Sequence, residues 1–227
     1  MMCALEKEGW YMDYYELLRG PVAWIAFTIC LGGIALRLCL LLARARNVKR
    51  LNPGKSIRGG FKSIVRGAIP FSLHYMRENP VFTVVTFLFH LCVVLTPIFL
   101  LAHIVLFYES WQVQWASLPD NLADIMSLVV ILAVVFFAMR RLVLKPVKRL
   151  TRNSDWMLLI LVAGVFLTGL MAFHHWGPYR IVLITHLFLG ETLLVTIPFS
   201  KLIHMLLFFF TRGYLGAEYE IILDSQY

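Results

Sequence analysis

The stretch that decides the fold is Arg180–His204, which reads RIVLITHLFLGETLLVTIPFSKLIH. Most of its residues are apolar, and the apolar run continues to position 210 through MLLFFF. The hydrocarbon core of a bilayer is about 30 Å thick and needs about 20 mostly apolar helical residues to cross it. We therefore expect residues 181–210 to cross a membrane as a helix, with two histidines inside the apolar run.

Four other stretches meet the same requirement of length and apolarity. The predicted spans are 21–42, 81–107, 124–143, 156–173 and 181–210. They predict an all-α integral membrane bundle of five transmembrane helices, formed by a domain at 21–210. Residues 1–20 are rich in aromatic side chains and predict an interfacial segment, and residues 211–227 form a tail.

The overall composition is typical of a membrane protein. The 227 residues are 60% hydrophobic and 15% charged, whereas a soluble domain is about 45–50% apolar and about 25% charged. This argues against a water-soluble enzyme and a nucleic-acid-binding domain, so we expect membrane lipid and no nucleic acid as a partner. The four cysteines show no CxxC spacing, which argues against a disulfide framework, a zinc site and covalent haem attachment.

The distribution of basic residues predicts the orientation of the chain. Nine Lys and Arg residues lie in the loop 43–80, and six surround the connection between the third and fourth spans. The opposite loops, 108–123 and 174–180, carry one cation between them, Arg180. Because basic loops stay in the cytoplasm, we expect the N-terminus outside and the C-terminus in the cytoplasm. The protein would then lie in the inner membrane of a prokaryote.

The loop 43–80 is long for a connection between two spans. Gly59 and Gly60 predict an interruption of any helix there. Its cations favour either a solvated segment lying on anionic lipid or a docking surface for a cytoplasmic subunit. Arg37 lies near the inner end of the first span, where we expect its side chain to reach the headgroups.

Four of the seven histidines fall inside two predicted spans, His90 and His103 in the second and His186 and His204 in the fifth. Ionisable residues in a bilayer are costly and mark functional sites by default. Because these two spans are antiparallel, His90 and His204 share one predicted depth, and His103 and His186 share the other. Two layers of paired imidazoles suit two bis-histidine haems, although a membrane histidine can also hydrogen-bond a neighbouring helix.

Helical phase gives a different answer for each of the two spans. His186 and His204 are 18 residues apart, which is about five full turns and places both on one face of a straight helix. His90 and His103 are 13 residues apart and about 140° out of phase on a straight helix. A kink at Pro97, which lies between them, would turn the second histidine.

Second partners for the inner histidines can also be predicted. Thr86 precedes His90 by four residues, and Ser200 precedes His204 by four. A hydroxyl or a carbonyl at either position can select the tautomer of the imidazole ring. Membrane serines and threonines also bond back to their own helix, which leaves a purely local role open.

The stretch Arg180–His204 resembles the last helix of the respiratory nitrate reductase gamma subunit. Both show two histidines at this spacing, a glycine four residues after the first, and a PFS-[basic]-LIH ending. The segment Arg140–Asp155, RRLVLKPVKRLTRNSD, is similar to the loop that enters the fourth helix of that family, and the resemblance covers all five spans in order. Related subunits occur in complexes of the heterodisulfide-reductase type and in transmembrane redox complexes of sulfate reducers.

The resemblance implies a di-haem cytochrome b subunit that transfers electrons within a respiratory complex. Two non-covalent b haems would use His90 and His204 toward the cytoplasm and His103 and His186 toward the outside. The chain would exchange electrons with menaquinol or a related quinol near the outer face. The spacing from His90 to His103, the long loop 43–80 and Glu191 all depart from the nitrate reductase subunit. A cytoplasmic iron–sulfur subunit of the heterodisulfide-reductase type is therefore the expected partner.

Two residues are candidates for quinone or proton chemistry. Glu191, which replaces an apolar residue of the nitrate reductase subunit, lies about 15 Å deeper than the outer interface. It is either a proton relay or a neutral, hydrogen-bonded core acid. His175 lies at the outer mouth beside His174 and Trp176, where it either binds a quinone oxygen or belongs to an interfacial aromatic loop.

Two other functions remain open at the level of the sequence. The chain could join a periplasmic multihaem cytochrome c to a cytoplasmic iron–sulfur enzyme, with no quinone site. In a different class of protein, the histidines would line a metal or proton transport path. A transporter is expected to show inverted repeats, and the sequence shows no internal repeat.

Overall fold

The computed structural model describes residues 12–47 and 57–224, with side chains for 12–44 and 57–217. The beginning of the predicted interfacial segment, part of the loop 43–80 and the end of the tail lie outside the described residues. Every regular element within the described ranges is a helix or a helical turn. This confirms the predicted all-α class.

The helices follow one another with short connections, and we number them in chain order. They are α1 (Ala23–Asn47), α2 (Ile57–Ala68), α3 (His74–Glu78), α4 (Pro80–Phe99), α5 (Leu101–Trp111), α6 (Asp120–Val143), α7 (Lys145–Leu150), α8 (Asn153–Phe173), α9 (Tyr179–Thr196) and α10 (His204–Asp224). Helical residues 12–17 lead into α1 through a π turn, Leu18–Val22, which contains Pro21.

Five helical stretches are long and apolar enough to cross a membrane. They are Met12–Arg44, Pro80–Phe99, Asp120–Val143, Asn153–Phe173 and Tyr179–Phe199. This confirms the prediction of a multi-pass membrane protein with five spans. The predicted bounds 81–107 and 181–210 were wrong, because the helix is interrupted within each of these two stretches.

The described chain divides into two compact units. The first unit contains residues 12–19 and Val84–Gly190, and the second contains Gly20–Thr83 and the residues from Glu191 onward.

The core of the first unit lies between α6 and α8. Buried side chains recur at helical spacing on both helices, at Met126, Val130 and Val134 and at Val162, Phe166 and Leu170. Leu132 and Ile160 are exposed on other faces of the same helices. Such apolar exposure is expected where the solvent is lipid.

The second unit contains a close helix pair, α2 and α10. A Cβ atom on Gly60 would lie 2.8 Å from the carbonyl oxygen of Gly213, and one on Gly216 would lie 2.6 Å from that of Gly59. Small residues permit this close approach. The prediction that Gly59 and Gly60 interrupt any helix was therefore wrong, because tertiary packing overrides a helix cost of about 1 kcal/mol per glycine.

The second span is interrupted at Leu100, which has extended backbone with φ −71° and ψ 128°. The interruption follows Pro97, which has no backbone N–H and disfavours a continuous helix. Because α4 ends at Phe99, its last carbonyl oxygens have no partner within their own helix. Each accepts a hydrogen bond from elsewhere in the first unit: Pro97 O from His103 Nδ1 at 2.7 Å, Ile98 O from Trp115 Nε1 at 2.9 Å and Phe99 O from Leu118 N at 2.9 Å.

The fifth span is interrupted between α9 and α10. Two 3₁₀ turns, Ile197–Phe199 and Lys201–Ile203, flank Ser200, whose backbone is extended. The helix is therefore not continuous from His186 to His204, and the prediction that these two residues share a face of one straight helix was wrong.

The α1 helix of the second unit contacts the turn at this interruption. Arg37 on α1 donates from Nε to the carbonyl oxygen of Pro198 at 3.1 Å. Gly33, one turn earlier on α1, allows the contact, because a Cβ atom there would lie 2.6 Å from Cβ of Pro198. Arg37 is exposed and its Nε–H is bonded to Pro198, while its predicted reach to the headgroups stays a prediction.

Candidate functional site

His103 and His186 face each other in the first unit. Their ring centroids are 6.1 Å apart, and the ring planes are inclined by 15°. Two imidazoles bound in line to one metal ion would place their centroids about 6.4 Å apart, from two bonds of about 2 Å and two ring radii of about 1.2 Å. The structure therefore brings together the two histidines predicted for the outer layer, at a separation that a shared metal ion can bridge.

His186 is held in place by α8. Its Nδ1 lies 3.0 Å from the carbonyl oxygen of Val165 and 3.2 Å from the hydroxyl of Thr168. Because a carbonyl oxygen can only accept, Nδ1 carries the proton and the neutral ring has its lone pair on Nε2. Gly169 permits this approach, since a Cβ atom there would lie 2.9 Å from Cε1 of His186.

His103 is held in place by the interruption that precedes it. Its Nδ1 donates to the carbonyl oxygen of Pro97 at 2.7 Å, so its lone pair also lies on Nε2. The helix is interrupted between His90 and His103. The phase difference expected on a straight helix therefore does not apply to them.

His90 lies on α4 in the first unit, half-buried beside the ring of Phe89. Its Nδ1 donates to the carbonyl oxygen of Thr86 at 2.7 Å. Thr86 was predicted to orient this ring by a hydroxyl or a carbonyl, and the carbonyl is the group that does so. The Thr86 hydroxyl is buried and makes no hydrogen bond within the described residues.

His204 is the first residue of α10 in the second unit. Its Nδ1 donates to the carbonyl oxygen of Lys201 at 2.6 Å. Ser200, predicted to orient this ring, instead accepts a hydrogen bond from the backbone N–H of Leu202 at 3.2 Å. His90 and His204, the two residues predicted for the inner layer, thus belong to different units.

The four histidines of the predicted spans share one arrangement of the ring. In each of them Nδ1 donates to a backbone carbonyl, so the neutral ring carries its lone pair on Nε2. His174 and His74 differ, because their Nε2 atoms lie 2.9 Å and 3.6 Å from the carboxylates of Asp124 and Glu78. Metal-binding histidines commonly donate the N–H of one ring nitrogen to a backbone carbonyl, which leaves the other nitrogen for the metal.

A different kind of histidine site lies at the end of α8. His174 donates from Nε2 to Oδ2 of Asp124 at 2.9 Å, and these side chains are 34% and 27% exposed. The indole of Trp176 lies nearly parallel to the His174 ring, with centroids 5.0 Å apart. Along the axis of α8, His174 lies about 8 Å beyond Gly169, the residue that contacts His186.

His175, the predicted quinone residue, has a different environment from His174. Its backbone is left-handed, with φ 55°, and its ring lies 4.7 Å from that of Tyr179. His174, not His175, is paired with a carboxylate, that of Asp124. Asp124 was not predicted as a site residue. Asp124 stands in an apolar span, where a carboxylate is costly, and this position could have identified it.

Glu191 is buried in the second unit, with 9% of its surface exposed. Its Oε2 atom makes no hydrogen bond within the described residues. The alternative of a fully hydrogen-bonded core acid therefore does not hold for this oxygen. Leaving a buried polar atom without a partner is costly, so a mobile proton or a ligand would find an acceptor there.

Groups of three or more His, Cys, Asp or Glu side chains that could hold a bare metal ion do not occur in the part of the chain that the structure describes. His103 and His186 are two imidazoles that lie close together. A haem iron needs only two protein ligands of this kind, because its macrocycle supplies the other four.

A relative is found among known proteins. The chain is 34% identical over 212 residues to a protein of Nitratidesulfovibrio vulgaris (strain Hildenborough), covering 91% of this chain and 94% of that protein. The description of the relative, "Protein", names no activity. No protein-family model matches the chain, and no solved structure matches it. At this identity and coverage the chain belongs to the same family as the Nitratidesulfovibrio protein.

Proposed function

We propose that this member of the Nitratidesulfovibrio protein's family is a di-haem cytochrome b subunit of a respiratory redox complex. The observation that carries the proposal is the arrangement of His103 and His186. Their centroids are 6.1 Å apart, and each Nδ1 donates to a carbonyl, so each Nε2 has a lone pair for iron. The likeness of Arg180–His204 to the nitrate reductase gamma subunit supports the same assignment.

The proposed outer haem is held by His103 and His186, and the proposed inner haem by His90 and His204. When bound, each haem would accept and release single electrons at a potential set by its ligands, their hydrogen bonds and the surrounding polarity. The role of the chain is to hold each imidazole in one tautomer. The carbonyls of Pro97, Val165, Thr86 and Lys201 perform this for the four ligands.

We further propose that a quinol, menaquinol being the first candidate, binds near the outer haem. His174 supports this, because its Nε2–H is held by the Asp124 carboxylate and its Nδ1 can accept a hydrogen bond from a quinol hydroxyl. The Trp176 indole beside it offers a flat surface to a quinone ring. His175 and Glu191 remain candidates for positioning the quinone and relaying its proton.

The proposed orientation places the N-terminus outside and the C-terminus in the cytoplasm of a prokaryotic cell. It is supported by the cations of the loop 43–80 and of the connection between α6 and α8. Electrons from the quinol would then reach an iron–sulfur subunit of the heterodisulfide-reductase type on the cytoplasmic side. A chain without a quinone site, fed by a periplasmic multihaem cytochrome c, is the alternative for the same fold.

A pyridine haemochrome assay on the purified protein tests the haem assignment. We expect two haem b per chain. His103→Ala and His186→Ala should each remove one haem, and the two variants should lack the same spectral component. His90→Ala and His204→Ala should remove the other. His74→Ala is the matched control, because His74 is exposed and engages Glu78, and it should retain both haems. A protein with no haem would contradict the proposal.

A glycine variant tests the geometry of the outer haem without removing a ligand. Gly169→Ala would place a Cβ atom 2.9 Å from Cε1 of His186, so we expect a shifted spectrum or loss of the outer haem. Gly190→Ala introduces the same methyl group where nothing lies within 4 Å. An unchanged spectrum in Gly169→Ala would show that His186 is not a ligand in this position.

Titration with a quinol analogue tests the quinone site and distinguishes it from the alternative conduit. We expect the analogue to shift the spectrum or potential of the outer haem, and Asp124→Asn to weaken this binding. Asp120→Asn, in the first turn of the same helix, is the control. Two bound haems with no response to the analogue would favour the quinone-independent conduit.

A further inference from the structure

The α2 helix carries three faces with different chemistry. Residues four positions apart lie on the same side of a helix, and each face follows this spacing. The first face is made of small residues, the second of apolar residues and the third of cations: Gly59, Ser63 and Gly67; Ile57, Phe61 and Val65; Arg58, Lys62 and Arg66.

The face of small residues is packed against α10. Gly59 and Gly67 are buried, and Ser63 contacts Gly216. A Cβ atom on Gly67 would lie 2.8 Å from the ring of Phe208. Because these contacts leave no room for larger side chains, α2 cannot rotate about its axis without losing them. Its apolar and cationic faces are therefore presented in a fixed direction.

The apolar and cationic faces are exposed side by side. Ile57 is 87% exposed and Phe61 is 69% exposed. Arg58, Lys62 and Arg66 are exposed as well, and none of them forms an ion pair with a described side chain. A large apolar side chain beside three cations is unfavourable in water but matches the boundary between acyl chains and anionic headgroups.

We infer that α2 lies in the membrane interface and binds anionic phospholipid. Phe61 and Ile57 enter the acyl boundary, and Arg58, Lys62 and Arg66 contact lipid phosphates. Two observations favour lipid over a protein surface as the occupant. The charge and the apolarity are on adjacent faces of one helix, as in interfacial helices, and a helix apolar enough to cross a membrane, Pro80–Phe99, follows α2 in the sequence after a short connection.

Site-directed spin labelling of the full-length protein in vesicles tests the inference. Labels are placed at Phe61→Cys and, as the matched control one position along, at Lys62→Cys, in a background whose native cysteines are replaced. The probes are vesicles of phosphatidylcholine with phosphatidylglycerol, molecular oxygen and a water-soluble nickel complex. We expect the label at 61 to collide mainly with oxygen and the label at 62 mainly with nickel.

Charge reversal tests the role of the headgroups. Each cation near an anionic surface increases the partitioning of a helix into that surface about fivefold. We therefore expect the partitioning of α2 to fall at least a hundredfold when three substitutions are combined: Arg58→Glu, Lys62→Glu and Arg66→Glu. The label at 61 should then become accessible to nickel in anionic vesicles and be protected again in pure phosphatidylcholine.

Three results would overturn the inference. The first is a label at 61 that collides with nickel in anionic vesicles as freely as the label at 62 does. The second is a label at 61 whose protection is the same with and without phosphatidylglycerol, in both the native and the charge-reversed helix. The third is a label at 61 that is protected only when an iron–sulfur subunit is added, which would assign this surface to a protein.

Discussion

In both interrupted spans the backbone carbonyls at the break accept hydrogen bonds, but the donors come from different parts of the chain. At the end of α4, the carbonyls of Pro97, Ile98 and Phe99 receive donors from residues 103–118, which follow shortly in the sequence. Between α9 and α10, the carbonyl of Pro198 receives its donor from Arg37, which is 161 residues away. The first interruption is thus supported locally, and the second depends on a distant helix.

The difference shows how an interrupted helix can persist in an apolar protein. A backbone carbonyl without a partner costs several kcal/mol in hydrocarbon, so each interruption must be accompanied by donors. Local donors are attached to the same chain segment and lose little entropy on binding. A distant donor requires that α1 pack closely on the turn, which makes the second interruption the more sensitive of the two to substitution.

The largest effect is expected from Gly33→Ala, which would disturb the contact between α1 and the turn at Pro198. The new Cβ atom would lie 2.6 Å from Cβ of Pro198, which is fully buried and cannot yield easily. We expect a loss of roughly 1–3 kcal/mol in the free energy of unfolding, measured by denaturation in detergent. Gly32→Ala, with nothing within 4 Å, should be neutral, and equal losses in both variants would contradict the packing argument.

Arg37→Met should have the next largest effect, because it keeps an apolar stem and removes the donor to Pro198. The unpartnered carbonyl should cost about 1–2 kcal/mol in the free energy of unfolding. Arg44→Met on the exposed end of α1 is the control. A loss no larger than that of the control would show that the Nε–H of Arg37 is not needed at the turn.

Trp115→Phe tests the local support and should have a smaller effect of about 1 kcal/mol, since one of three local donors is removed. The ring contact with Phe107 should survive the change. Trp111→Phe, which alters another indole packed on Phe107, is the comparison. If Trp115→Phe destabilises the protein more than Arg37→Met, the second interruption is not the more sensitive one.

Ser200→Ala should have the smallest effect. The Ser200 hydroxyl accepts from the backbone N–H of Leu202 at 3.2 Å, and loss of such a cap costs about 0.5–1 kcal/mol. Thermal denaturation should show a small shift, while the haem spectrum should stay unchanged because Lys201 O orients His204. A change in the spectrum would restore Ser200 as a partner of His204.

The spans were predictable because composition and length determine them. The pairing of His103 with His186 was also anticipated, since two antiparallel spans place these residues at equal depth. A kink at Pro97 was expected, but the break at Leu100 and the break at Ser200 were not, because proline is tolerated in membrane helices and the donors that bind the carbonyls at each break come from tertiary contacts. Gly59 and Gly60 were misread for a similar reason, since the packing of α10 decides their conformation.

The segment from Trp115 to Leu118 has a consequence for the biogenesis of the protein. While the ribosome has delivered only α4 and α5, the carbonyls of Ile98 and Phe99 lack the donors that later satisfy them. Those donors emerge just before α6. The second span therefore reaches its final hydrogen bonding only when the third begins to enter the membrane, and the two are expected to leave the insertion machinery as a pair.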